Sequence, residues 1–470
     1  MYTAFWSSVS KMLMTAKKRE LLFRKQLTIA CISFDREDSH MVGSRTVEFR
    51  KPVLKGECKV LGDKSISHRA IMLGSIAKGR TEVTGFLSGE DCLRTIEIFK
   101  QLGVYIKREG EHVWIDSPGM KNWTAPADTL YAGNSGTTAR LMLGILASSN
   151  VKSVLTGDAS LSKRPMKRVT GPLQKMGALI HGDDFLPLTI TGSKLTAIDY
   201  ELPVASAQVK SAILFAGLNA EGMTTVKEID VTRDHTERML AQFGANVLRS
   251  DKTVSIEGGQ TLQGSKVVVP GDISSAAFFM VAAAMLEGSS VDFINVGLNP
   301  TRTGIIDVLK AMGAKVVVTD RNGDDGEPFG NVNVTADSLR GIEIGGELIP
   351  KLIDEIPIIA LLSTQAKGKT VIKDAAELRV KETDRITAVT EELKKMGADI
   401  EATEDGMIIH GPTVLKGASL SSYGDHRIGM MAAIAAYVAD GPVHIEDPDC
   451  IAISYPNFFE HLYQLSAVEE

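Results

Sequence analysis

The residues best equipped for chemistry open with "LGDKSISHRAIMLG", residues 61 to 74, where Asp63, Lys64, Ser65, Ser67, His68 and Arg69 precede an apolar run. Lys64 and Arg69 are five apart, so on a helix of about 3.6 residues per turn they lean toward the same end without stacking. Cations and hydroxyls at a helix mouth suit an anion, because the first turn adds unpaired N–H groups and about half a positive charge. A solvated first turn explains a single copy more readily, so repetition matters. Polar mouths on apolar helices recur in "GNSGTTARL", "SAQVKSAIL", "GDISSAAFF", "KLIDEIPII" and "GDHRIGMM". Ser, Asp and Asn are ordinary N-caps. Lys64, Arg69, Lys210 and Arg427 are not, since the dipole disfavours cations there.

The elements that carry these mouths repeat. "IFKQLGVYI", "PLQKMGALI", "MLAQFGANV", "VLKAMGAKV" and "ELKKMGADI" each read as an amphipathic helix stopped by glycine and followed by a short β-branched strand. The apolar helices upstream begin near Lys64, Ser135, Ala207, Ile273, Ile353 and Asp425, about 65 to 80 residues apart. The last unit lacks the glycine stop. Six units over two domains give three per domain, with a break where Pro270 and Gly271 interrupt "VVVPGDISS".

Composition is consistent with this organisation. A chain of 470 residues exceeds the roughly 250 to 300 at which one core stops growing, so two domains are expected. The net charge of −6 argues against a broad nucleic-acid-binding face and makes any anion site local. No apolar run approaches the roughly 18 residues that suggest a membrane span. Cys31, Cys58, Cys92 and Cys450 are scattered, without a C-x-x-C pair, which fits a reducing compartment and gives no zinc pattern. "SLSK" lacks its hydrolase companions and no phosphate loop of the G-x-x-x-x-G-K-[ST] type is present. Residues 1 to 40 read as a disordered or misassigned extension, with Met41 a plausible start and a transit peptide conceivable.

Taken in order, "DKSISHRA", "GNSGTTARL", "SKRPM", "SAQVKSAIL", "RDHTE", "DISSAAFF", "LIDEIP", "VKETDRI" and "GDHRI" resemble the 5-enolpyruvylshikimate-3-phosphate synthase family from about residue 46 onward. The resemblance implies an α/β fold of two domains, an inside-out α/β barrel with three βαβαββ repeats per domain and substrates in the cleft between them. It implies an extension over 1–45, a discontinuous first domain over 46–62 plus 272–470, and a second domain over 63–271. The first strand, around 46 to 61, then belongs with the C-terminal half, and the crossings near Gly62 and Gly271 form a hinge. The implied reaction moves the enolpyruvyl group of phosphoenolpyruvate to the 5-hydroxyl of shikimate 3-phosphate and releases phosphate. No metal, nicotinamide or flavin cofactor follows, and a cytoplasmic monomer is expected.

By the same resemblance, Lys64 touches both substrates. Ser65, Arg69, Ser206, Ala207, Gln208, Arg233, Asp354 and Lys381 face shikimate 3-phosphate, while Gly136, Arg164, Gln208, Arg385 and Arg427 face phosphoenolpyruvate. Asp354 is the matched base for the hydroxyl, Glu382 the carboxylate for proton transfer at carbon, and Lys64 a proton donor whose pKa neighbouring cations should lower. Alone, "KETDRI" reads as a solvated helix face, and His426 as a structural imidazole that could assist. Facing cation clusters 4 Å apart would repel by about 4 kcal/mol at an effective dielectric near 20, so an open free form and a compact liganded form are expected.

Some residues depart from common family patterns. Ile453 and Ser454 stand where many relatives carry a lysine that reaches phosphoenolpyruvate, and Ala207 where others have serine. Both resemble the family's second class and leave the phosphate clamp partly unassigned. Gly136 is glycine where some herbicide-insensitive members carry alanine, so glyphosate is expected to compete with phosphoenolpyruvate here. Two rivals differ in kind. The related transferase acting on UDP-N-acetylglucosamine usually has a cysteine before its "RP" pair, where this chain reads "GDASLSKRPM". A non-catalytic repeat protein binding phosphorylated ligands would need the cations but has no reason to keep Asp354 and Glu382.

Overall fold

The computed structural model describes residues 43–49, 51–322 and 326–466. The extension over residues 1–42 and its alternative start lie outside the described residues. Among the described residues, five four-stranded sheets and one three-stranded sheet surround a set of buried helices. The unit spanning 130–191 shows the repeat. Strand Leu130–Tyr131 leads into helix Gly136–Ala147, and strand Lys152–Thr156 returns parallel to it. Helix Lys167–Lys175 and the antiparallel strands Leu179–His181 and Leu188–Thr191 complete the sheet.

This arrangement follows from hydrophobic patterning. Strands such as His112–Pro118, "HVWIDSP", alternate between buried and more exposed positions, so each sheet gives one face to a core and the other to water. The helices with polar mouths are apolar almost all round, as in "ISSAAFFMVAAAM", Ile273–Met285, and such helices must be interior. Small residues let their backbones meet: a Cβ on Gly144 would lie 2.1 Å from the Ala212 carbonyl oxygen of helix Ala207–Gly217. Helices inside and sheets outside match the inside-out arrangement expected, although no closed barrel forms among the described residues. The five glycine stops all occur, at Gly103, Gly177, Gly244, Gly313 and Gly397, each with φ between 86° and 110°.

Two hydrophobic cores result among the described residues. One collects Val47, Leu54, Cys58 and Val60 with residues from Ile273 to Leu465; the other runs from Ile66 to Val269. Strand Lys55–Cys58 pairs in parallel with Ser290–Gly297 of the first lobe. Strand Lys266–Val268 pairs in parallel with Lys78–Thr84 of the second. The chain crosses twice between the lobes, and the crossings touch through a bridge between Gly62 and Gly271. Asp63 N–H donates to Pro270 O and Asp272 N–H to Leu61 O, both at 2.8 Å. Gly62 is required there, because a Cβ would fall 1.9 Å from Gly85 O.

Two readings of the sequence need correction. The single strand expected over 46–61 is two strands in different sheets, Ser44–Val47 and Lys55–Cys58. The first pairs with Val443–Glu446, so ordered structure begins inside the segment assigned to the extension. The helix expected to start near Ile353 is instead a short helix Ile349–Leu352 followed by Ile356–Gln365. Pro350 and Pro357 each sit at the start of a helix, where a missing N–H costs nothing. Asp354 occupies the junction.

Candidate active site

Five of the polar mouths are true N-caps. Asp63, Ser135, Ser206, Asp272 and Asp425 each accept from the backbone N–H of the second or third residue of the helix they start. Capping and site-building are therefore compatible: the caps fix the helix starts, and the next residues face a shared space. That space is a cavity of about 1060 Å³ between the lobes, large enough for two small polar ligands. Lys64, Ser65, Gly136, Arg164, Ser206, Ala207, Gln208, Arg233, Asp354, Lys381, Glu382, Arg385 and Arg427 all line it.

Arg69 does not line it. It is buried behind the wall, donating to Thr236 Oγ1 at 2.7 Å, Ser211 Oγ at 2.9 Å and the Ser65 carbonyl at 3.0 Å. Lys210 also turns away, into ion pairs with Glu228 at 2.9 Å and Glu237 at 2.7 Å. Both carry charge near a helix mouth, but their positions on the helix, five residues past Lys64 and three past Ala207, turn them into the protein.

Two carboxylates organise the wall of the first lobe. Asp354 meets Lys381 at 3.4 Å, Arg385 at 3.2 Å and Arg427 at 4.0 Å, and pairs closely with Arg233 from the second lobe. Glu382 meets Arg385 at 2.8 Å and, across the cavity, Arg164 at 3.3 Å. Burial alone would raise both carboxyls, but the surrounding cations outweigh it: Lys381 and Arg233 lead for Asp354, Arg385 and Arg164 for Glu382. Both are held well below the ordinary carboxylate range and are ionised. Arg385 is in turn fixed by Asp425 at 2.8 Å.

Lys64 departs from expectation. Burial and nearby cations should depress its pKa, yet Asp91 lies 2.5 Å from its ammonium. Burial pulls the ammonium down, Asp91 more than offsets it, and the net shift is upward. Lys64 is a stable cation, able to give a proton but not poised to lose one. His426, at the first position of helix His426–Ala435, also lines the cavity. Burial, then Lys64, push its pKa down to about 4, so it is neutral at pH 7.

Several wall residues went unrecognised in the sequence: Asp91, Arg140, Lys163, Arg168, Asp272 and Arg302. Arg140 carried a usable signal, standing four residues after Gly136 within "GNSGTTARL" and so on the same helix face. Arg302 and Asp91 carried none; only packing brings them in. With cations on both walls and ionised carboxylates among them, the cavity can hold polyanions, accept a hydroxyl proton and donate one to carbon.

Comparison with known proteins agrees with this chemistry. The family model for EPSP synthase (3-phosphoshikimate 1-carboxyvinyltransferase) matches residues 50–462. A 3-phosphoshikimate 1-carboxyvinyltransferase of Bacillus licheniformis is 57% identical over 417 residues, covering 88% of this chain and 97% of that protein. One from Bacillus cereus is 57% identical over 425 residues, covering 90% and 99%. A solved EPSP synthase from Acinetobacter baumannii superposes with a TM-score of 0.82 at 46% identity, covering 90% of this chain and 98% of that one. On this evidence the chain belongs to the EPSP synthase family.

Proposed function

We propose that this chain transfers the enolpyruvyl group of phosphoenolpyruvate to the 5-hydroxyl of shikimate 3-phosphate and releases inorganic phosphate. The observation that carries the reading is the pairing of Asp354 and Glu382, on one wall, with Arg233 and Arg164 on the other. A binding protein for phosphorylated ligands would gain nothing from two part-buried carboxylates among its cations. Ser65, Ser206, Ala207, Gln208, Arg233 and Lys381 hold shikimate 3-phosphate, with Arg69 acting through the Ser65 carbonyl. Gly136, Arg164, Gln208, Arg385 and Arg427 hold phosphoenolpyruvate, and Lys64 spans both.

In the forward step Asp354 takes the hydroxyl proton as the oxygen bonds to C2 of phosphoenolpyruvate. Glu382, replenished with a proton, or Lys64 as the resident acid, delivers one to the methylene carbon. The tetrahedral adduct then loses that carbon proton and expels phosphate, restoring the double bond. Arg164, Arg385 and Arg427 stabilise charge on the phosphate and carboxylate through paired N–H bonds. Ala207 with Ile453 and Ser454 supports membership of the second class of the family. The two lobes serve as hinged domains about Gly62 and Gly271, over 46–62 plus 272–470 and 63–271. No helix among the described residues is long and apolar enough to cross a membrane, and the enzyme is read as a cytoplasmic monomer.

Phosphate release measured with each substrate alone and with both tests the reading. Release should require both, and Asp354→Asn and Glu382→Gln should each lower kcat by about 10²- to 10⁴-fold. Release from phosphoenolpyruvate alone at the full rate, or full activity in both variants, would overturn it.

A further inference from the structure

The cavity's cations differ in how they are compensated. Lys64 has Asp91, Arg164 has Glu382, and Arg233, Lys381, Arg385 and Arg427 share Asp354. Arg140 has no carboxylate within 4.0 Å among the described residues; its Nη1 donates instead to the Gln208 side-chain carbonyl at 2.8 Å. This half-buried guanidinium lines the cavity. A charge taken from water without a counter-charge is expensive, and such an arrangement is economical where an anion completes it. Burial, then Arg164, pull the Arg140 guanidinium below its ordinary value, in keeping with an incomplete charge balance.

Its direction is given by Gly136. A Cβ built there would lie 2.9 Å from Arg140 Nη1 and 3.5 Å from Arg164 Nη1. Two guanidiniums thus converge over the first residue of helix Gly136–Ala147, where backbone N–H groups are also unpaired. The C-terminal segment offers no equivalent charge. Ile453 is absent from the cavity wall; it packs on the first lobe's core, and its carbonyl lies 3.0 Å from a Cβ built on Gly89.

We infer that Arg140 is a phosphate-binding residue on the phosphoenolpyruvate side of the cavity, supplying the cation that a C-terminal lysine supplies in many relatives. The inference rests on the proposed enolpyruvyl transfer. Arg140, Arg164 and the Gly136 N–H form the phosphate clamp, and Gln208 holds Arg140 in register from the neighbouring helix while its own amide donates to Thr137 Oγ1 at 3.1 Å.

The test is steady-state kinetics of the full chain, with each substrate varied in turn, for the parent, Arg140→Gln and Arg140→Lys. Arg140→Gln should raise KM for phosphoenolpyruvate about ten-fold or more while KM for shikimate 3-phosphate moves less than about three-fold. Arg140→Lys restores charge without the fork, and should recover part of the loss. A merely structural role would shift both KM values together and show no rescue by lysine. An unchanged phosphoenolpyruvate KM in Arg140→Gln, with the parent active, overturns this inference alone. A parent that releases no phosphate overturns the transfer reading and this inference with it. Should Arg140→Gln not fold, the lysine variant decides: a rise confined to phosphoenolpyruvate supports the clamp, and unchanged kinetics reject it.

Discussion

Gly136 shows how much a site can hang on one missing methyl. The atoms an alanine Cβ would press are the ends of two flexible guanidiniums, not backbone, so Gly136→Ala should fold. Alanine in place of glycine in the first helical turn should keep or slightly raise Tm. The guanidiniums must retreat, so KM for phosphoenolpyruvate should rise and competition by glyphosate should weaken by about ten-fold, the size of one charge-assisted hydrogen bond. Parallel titrations of parent and variant check this, and equal inhibition constants would remove the argument. At this scale the sequence located the cavity's charges well but not their surroundings. Asp91 lies 27 positions from Lys64 on another helix, and its 2.5 Å contact reverses the pKa shift that neighbouring cations alone imply. The places of Arg69 and Lys210, off the cavity wall, were not legible for the same reason, since helical spacing says which residues share a face but not which face meets the cavity.

Between residues and lobes, the helix starts are joined by a buried clip. Arg302 donates to Asp63 at 3.3 Å and to Asp272 at 3.2 Å, the N-caps of the helices that follow the two crossings. Asp272 also accepts from the Lys64 N–H at 3.2 Å. Burial, then Asp272, push the Asp63 carboxyl up, while Arg302 restrains it. Removing the guanidinium would leave two carboxylates facing one another without a cation. Arg302→Met should therefore cost about 3–5 kcal/mol, read as a lower urea midpoint, and adding Asp63→Asn should return part of it. An unchanged midpoint in Arg302→Met would show that the clip carries no stability. The glycine stops and helix mouths were legible because they are local, a cap or a left-handed residue at a fixed offset. The clip was not, because Arg302 is 239 positions from Asp63. The break at Asp354 was half legible: Pro357 was in view, but a proline also starts a continuous helix, and only the interruption between Ile349–Leu352 and Ile356–Gln365 shows which case holds.

Across the whole molecule, the repulsion expected between facing cation clusters is replaced by ion pairs that bridge the lobes: Arg164 with Glu382, Arg168 with Glu377, and Arg233 with Asp354. These cations meet carboxylates across the cavity, so charge repulsion gives no reason for the lobes to stand apart. Closure by substrates would then be an exchange of one anion for another. The same burial makes stability depend on pH in a definite direction. His426 titrates near 6.5 when unfolded and at about 4 when folded. Between those values the unfolded chain binds the extra proton, so stability falls as pH falls. At about 1.4 kcal/mol per pH unit the His426 contribution lost between pH 7 and 4 is roughly 3 kcal/mol. Asp354 and Glu382, held below the ordinary range, act only at lower pH, through the window beneath the unfolded carboxylate value. Buried Asp63 and Glu237, shifted upward, oppose the histidine, so the slope for the whole chain mixes signs. Comparison with His426→Gln isolates the term, because the other groups cancel. Urea midpoints at steps from pH 7 to pH 4.5 should show the parent losing ground to the variant progressively below pH 6.5, and parallel curves over that range would mean that His426 titrates normally in the folded protein.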